Sequence, residues 1–145
     1  MNFFHKILVA TDGSEASLKA ARTAIGLATR AGAELLVAHI VDDEVVKDLA
    51  RAIGKDEKDA RSSMIDSARK YVAEIEKLAQ QSSVACRTVV EHGTPYEAIL
   101  KLAEREKVDV LVIGKTGRRG PARALAGSVT RRVIDLAEIS VLVVK

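Results

Sequence analysis

Five short runs rich in apolar and β-branched residues recur along this chain, at residues 7–10, 34–41, 86–91, 109–113 and 141–144, and the segments between most of them carry helical spacing. A strand with one face in water alternates apolar and polar side chains; a strand covered on both faces runs continuously apolar. Ile7-Leu8-Val9-Ala10 and Val110-Leu111-Val112-Ile113 are of the second kind. They require a sheet held between two helix layers. Leu18, Ala21, Ile25 and Ala28 share one face of the first helix, with Ser14 placed to cap it, Glu15 in its first turn and Gly32 to end it. Met64, Ala68, Tyr71, Ile75 and Leu78 trace a long second helix. Thr94-Pro95-Tyr96-Glu97 reads as a capping box with proline at the first helical position, followed by the stripe Ile99, Leu102 and Ala103. Val129, Val133, Leu136 and Ala137 line the last helix. Residues 42–60 open on Asp42-Asp43-Glu44 and close on a charged stretch after Gly54, and they read as a long connection with one weak helical turn.

Strands that alternate with helices form βαβ units and a parallel sheet, and right-handed crossovers place helices on both faces. The expectation is an α/β fold in a single domain over residues 1–145: one doubly wound, five-stranded parallel sheet of flavodoxin-like layout with strand order 3-2-1-4-5. In that order the winding reverses between strands 1 and 4. Ligands of such sheets bind at that crevice, beyond the carboxyl ends of the strands. A length of 145 residues, 48% of them apolar, suits one core of this size.

The turn after the fourth strand carries the chemistry. Gly114 ends the strand, Gly117 follows, and Gly127-Ser128 opens the last helix. Glycine admits positive φ and lets a bulky ligand approach the main chain. A helix start presents unpaired N–H groups and a positive dipole end. Strand, glycine loop and helix N-terminus in that order make a phosphate cradle, with the N–H groups of Ser128, Val129 and Thr130 and the hydroxyls of Ser128 and Thr130 as donors. Gly114-Lys115-Thr116 is not the tail of a Walker A loop, because Asp109 stands where that motif needs glycine. Asp12, at the carboxyl end of the first strand, has two readings: a turn cap, or a holder of a ribose hydroxyl or metal-bound water. Lys115, Arg118, Arg119, Arg123, Arg131 and Arg132 form a basic rim around the loop.

Composition removes several function classes. Net charge is only +3, and aromatic residues are 3% with no tryptophan, so base-stacking platforms for single-stranded nucleic acid are lacking. No apolar run approaches the ~18 residues that span a bilayer. Phe3-Phe4-His5-Lys6 lacks the pattern of a signal peptide, and one cysteine, Cys86, read as a small buried core residue, fits a reducing compartment. A cytoplasmic protein without nucleic-acid or membrane partners is expected. His5, His39 and His92 lack ligand spacing and are read as structural or surface residues, and no metal site made by the protein alone is expected.

The spacing Gly114-x2-Gly117-x9-Gly127-Ser128 resembles the nucleotide-binding signature of the ATP-binding universal stress proteins. The opening Lys6-Ile-Leu-Val-Ala-Thr-Asp-Gly-Ser14 is similar to that family's first strand and loop, and Ser140-Val-Leu-Val-Val144 to its last strand. The resemblance covers nearly the whole chain and implies the same HUP-type strand order. It implies that Ala10, Thr11 and Asp12 meet the nucleotide, that the backbone at Ile40 meets adenine, and that Gly114, Lys115, Gly117, Gly127, Ser128, Val129 and Thr130 hold the phosphates. It further implies a stress-response role and a homodimer, for which the apolar edge of strand 5 is the expected seat, and Mg²⁺ or Mn²⁺ is expected to accompany ATP, with Asp12 and Ser128 as candidate protein oxygens. A protein partner that reads the ordering of residues 115–126 would complete the regulatory reading. Two further functions stay open at this level: a slow ATPase using Arg118, Arg119 or Arg123, and an FMN carrier using the hydroxyls of Thr11, Ser14 and Ser17, against which the scarcity of aromatics counts. A receiver-type phosphorylation switch fits poorly, because it needs clustered acids after the first strand and Asp12 is not in such a cluster.

Overall fold

The computed structural model describes residues 3–117 and 125–145. Along these residues run β1 (Lys6–Thr11), α1 (Glu15–Ala31), β2 (Glu34–Asp42), α2 (Asp43–Ile53), α3 (Glu57–Gln81), β3 (Cys86–Gly93), α4 (Pro95–Arg105), β4 (Val110–Gly114), α5 (Ser128–Leu136) and β5 (Ser140–Val144). All strand pairs are parallel, and the order across the sheet is β3-β2-β1-β4-β5, as the sequence pattern predicts. Side-chain alternation divides the core. Ile7 and Val9 of β1 pack with Val37 and Val112 against α1 and α3, whereas Leu8 and Ala10 pack with Leu36 and Leu111 against α4 and α5. Two covered faces explain why β1 and β4 have no polar alternation. β3 and β5 are edge strands and are only half-buried. Among the described residues no helix is long and apolar enough to cross a membrane.

The start and stop signals of α1 act as expected. The Ser14 hydroxyl accepts from the Ser17 N–H at 3.2 Å, and Gly32, at φ 64°, returns its N–H to Ala28. Residues 42–60 depart from expectation. Instead of a connection with one weak turn, 11 residues form α2. The charges that suggested a loop are helix-start signals: Asp42 accepts from the Glu44 N–H at 3.0 Å, and Asp43 and Glu44 fill the first turn. Val46 and Ala50, four residues apart, are buried against Val41, Ala60 and Ala68, and Gly54 at φ 67° closes the helix.

The starts of α4 and β4 also differ from expectation. Thr94 occupies the cap position of α4 and Pro95 the first helical position, but no capping box forms: Thr94 makes no side-chain cap hydrogen bond. The Glu97 carboxylate accepts instead from the Tyr96 hydroxyl at 3.1 Å. Asp109, expected inside the fourth strand, precedes β4 and accepts from the N–H groups of both His5 and Lys6 at 2.8 Å.

Candidate functional site

β1 lies between β2 and β4, and the chain reverses its winding between β1 and β4. Beyond the carboxyl ends of these strands lies a cleft of about 270 Å³. Ala10, Thr11, Asp12, Ile40, Gly114, Gly117, Gly127, Ser128, Val129 and Thr130 line it. Lys115, expected among them, does not. Its main chain braces the loop instead. The Lys115 N–H donates to the Val144 carbonyl at 2.8 Å, and the Lys115 carbonyl accepts from the Gly127 N–H at 2.8 Å. These bonds tie the loop to β5 and to the entry of α5. Arg118, Arg119 and Arg123, expected in a basic rim, lie outside the described residues.

None of the three loop glycines is needed for positive φ, and two of them serve close approach. The left-handed glycines among the described residues are Gly13, Gly32, Gly54 and Gly93. A Cβ on Gly114 would lie 3.1 Å from the Ala16 carbonyl oxygen, and one on Gly117 only 2.7 Å from Asp12 Oδ2. Packing within the chain therefore accounts for both. Gly127 differs: a Cβ there meets nothing closer than 3.7 Å, and its φ of −61° suits any residue. What Gly127 leaves out is a side-chain cap, so the first turn of α5 opens on the cleft uncapped.

The hydroxyls divide as well. Thr130, expected to donate toward an anion, spends its O–H on the Gly114 carbonyl at 2.8 Å and is buried. It locks α5 to the end of β4. Thr11 donates to the Ala38 carbonyl at 3.4 Å. Ser128 is exposed and lines the cleft. Asp12 takes the turn-cap role: Oδ1 accepts from the Ser14 N–H at 2.9 Å, while Oδ2 stands against Gly117.

Sequence reasoning missed the opposite wall. Val41, Val45, Met64, Pro95 and Ile99 give that end of the cleft an apolar lining, and Ser17, His39, Asp42 and Thr116 add polar groups. Asp12 and Asp42 are the carboxylates of the lining, and no lysine or arginine among the described residues lines it. His39 parts company with the other two histidines. It is 6% exposed, stands in register with Thr11, and meets the Tyr71 ring edge-on with centroids 6.2 Å apart. Strand alternation held the missing signal: if Ile40 ends at the cleft on one face of β2, His39 ends there on the other. His5 lies at the amino end of the sheet, and His92 lies 3.0 Å from Asp43. Cys86 is half-buried on the edge strand, and burial, with Glu76 nearby, pushes its thiol up to about 11, so it is a neutral thiol at pH 7. Among the described residues no three His, Cys, Asp or Glu converge as metal ligands.

This is an α/β protein with a cleft at the reversal point of its sheet and a glycine-bounded helix start in the cleft wall. The profile of the Universal stress protein family matches residues 3–145, and the chain belongs to that family. Universal stress protein MJ0531 of Methanocaldococcus jannaschii is 34% identical over 145 residues, spanning 99% of this chain and 84% of the relative. The solved structure of MJ0577 superposes with a TM-score of 0.87 at 29% identity, covering 99% of this chain and 96% of that one. A universal stress protein solved in complex with cAMP superposes at 0.68 with 25% identity, covering 97% and 96%.

Proposed function

We propose that this chain is an adenine-nucleotide-binding regulatory protein whose preferred ligand is ATP, with the base toward Ile40, Val45 and Met64 and the phosphates toward residues 114–117 and the start of α5. Gly127 carries the reading. No described residue comes closer than 3.7 Å to its missing Cβ, and Gly127 lines the cleft beside the uncapped amides of Ser128 and Val129. A phosphate group uses both the space and the amides. Each charge-assisted hydrogen bond contributes roughly 1.5–3 kcal/mol. Three or four of them, with burial of the base on the apolar wall, reach the ~8 kcal/mol of a micromolar complex. The relative solved with cAMP supports the adenine-nucleotide class.

The two carboxylates of the lining oppose a bare polyphosphate, which favours entry of the nucleotide with a divalent cation. Asp12 Oδ2 and the Ser128 hydroxyl are hard oxygen donors of the kind Mg²⁺ or Mn²⁺ accepts beside phosphates and water. Such an ion would neutralise phosphate charge.

The outer edge of β5 is the proposed seat of a second copy. Its strand is apolar, and Leu142 is 38% exposed there. Sedimentation of the wild type is expected to give a dimer, and of Leu142→Lys a monomer; a wild-type monomer at all concentrations contradicts this. Titration calorimetry with ATP, AMP and GTP in the presence of Mg²⁺ tests the ligand. Micromolar ATP binding, weaker for AMP, is expected. Absence of heat with every adenine nucleotide defeats the reading.

A further inference from the structure

Asp12 lines the cleft, and the turn that holds its carboxylate is itself tied to a residue far along the chain. Its Oδ1 accepts from the Ser14 N–H at 2.9 Å. The Ser14 carbonyl in turn accepts from the Ser17 hydroxyl at 2.8 Å, and the Ser14 hydroxyl caps the Ser17 N–H. Ser17 is only 4% exposed, at the floor of the cleft lining. The Tyr71 hydroxyl of α3 lies 3.3 Å from Ser17 Oγ. A serine hydroxyl has one hydrogen, and that of Ser17 is committed to the Ser14 carbonyl; Tyr71 is therefore the donor. The bonds form one directed series from Tyr71 through Ser17 and Ser14 to Asp12, whose Oδ2 bounds the main chain at Gly117. The Tyr71 ring is fixed independently of its hydroxyl, by its edge-on packing with His39 and by the core beneath α1 and α3.

We propose that Tyr71 is a positioning residue of the cleft: its hydroxyl holds the first turn of α1 and, through Ser14, sets the Asp12 carboxylate against the Gly117 loop. Tyr71 lines no part of the cleft itself. Burial is the main cause raising its phenol above its usual range, so the hydroxyl stays protonated and remains a donor at pH 7. Removing it leaves Ser17 Oγ without its donor in a buried place. The Ser17 rotamer is then no longer fixed toward Ser14, and the 12–14 turn must be reordered when ligand arrives. The consequence reaches beyond the cleft. α3 also packs on α2 and on β3 and gives Met64 to the cleft, so a partner that docks on or tilts α3 acts on the ligand site through the Tyr71 hydroxyl as well as through Met64.

The proposal rests on the nucleotide reading for its affinity effect but not for its structural effect, and the test separates the two. Tyr71→Phe keeps the ring, and thermal unfolding checks that the fold is retained. Titration of Mg-ATP into Tyr71→Phe is expected to show an affinity loss of about five- to tenfold, in the range of coupling within one hydrogen-bond network. The same substitution placed in Asp12→Asn is expected to cost little more, because the series then ends on a side chain already altered. A merely structural tyrosine would weaken both backgrounds alike. In the nucleotide-free protein, the Ser14 amide is expected to exchange its hydrogen several-fold faster in Tyr71→Phe than in the wild type. Wild-type affinity in Tyr71→Phe, or an equal loss in the two backgrounds, or an unchanged Ser14 exchange rate overturns the assignment. If the wild type binds no adenine nucleotide, the functional reading fails, and the exchange rate alone decides for or against Tyr71.

Discussion

The two ends of the sheet are built from the same strands and solve opposite problems. At the amino end, the chain satisfies itself. The Asp109 carboxylate takes the His5 and Lys6 amides, Lys6 pairs with Glu34 at 3.1 Å and Glu106 at 3.6 Å, and Arg87 reaches Glu106 at 2.7 Å. Lys107 even adopts a left-handed φ of 54° to end α4 without a glycine. At the carboxyl end, among the described residues, the start of α5 has no such side-chain partner. Gly127 gives α5 no side-chain cap, and Gly114 and Gly117 bring bare main chain against Ala16 and Asp12. The proposed binding edge is set apart less by the groups it displays than by the helix start it leaves uncapped.

The largest expected effect breaks the carboxyl end. Gly117→Val places a Cβ where Asp12 Oδ2 now stands, so the loop or the carboxylate must move. Mg-ATP affinity is expected to fall by about 100-fold or more, roughly 2.8 kcal/mol, with calorimetry as the readout. Next is the amino end. Asp109→Ala leaves two amides without their acceptor and is expected to cost about 2 kcal/mol of unfolding free energy in urea while ATP affinity stays unchanged. The sign of its pH dependence follows from the Lys6 and His5 amide bonds, which hold the Asp109 carboxyl below its ordinary range. A carboxyl lowered on folding contributes stability that is fully present above its unfolded value and is lost as pH falls through the folded one. The wild type should therefore lose this increment below about pH 4, and Asp109→Ala should show a flatter acid limb.

Asp12→Asn keeps the acceptor for the Ser14 amide and removes the charge beside Gly117; ATP affinity in Mg²⁺ is expected to drop about tenfold, or 1.4 kcal/mol, with little change in stability. Equal affinity with and without Mg²⁺ in the wild type would separate Asp12 from any cation. The smallest effect sharpens the contrast between the ends. Lys107→Gly relieves the left-handed strain at the end of α4 and is expected to raise stability by about 0.5–1 kcal/mol without touching the cleft.

The sheet order and four helices were legible because burial on both faces imposes continuous apolar strands, and because caps such as Ser14 and Gly32 act through nearest neighbours. α2 was not, since Asp42-Asp43-Glu44 means both solvated loop and helix start until Val46 and Ala50 find a surface to cover. The glycine side of the cleft was legible as a contiguous motif. The wall made by Val45, Met64, His39 and Ser17 was not, because it assembles from α1, α2, α3 and β2, and no spacing in the chain encodes that convergence. Thr130 shows the remaining gap: a hydroxyl at a helix start looks like a ligand donor until the Gly114 carbonyl claims it.

The most direct test is an amide NMR titration of the wild type with Mg-ATP, read at both ends of the sheet. Resonances of Gly117, Gly127, Ser128 and Val129 are predicted to shift together and saturate, while those of His5, Lys6 and Asp109 stay in place. Saturable shifts confined to the amino end, or none at the four cleft amides at millimolar Mg-ATP, would contradict the account.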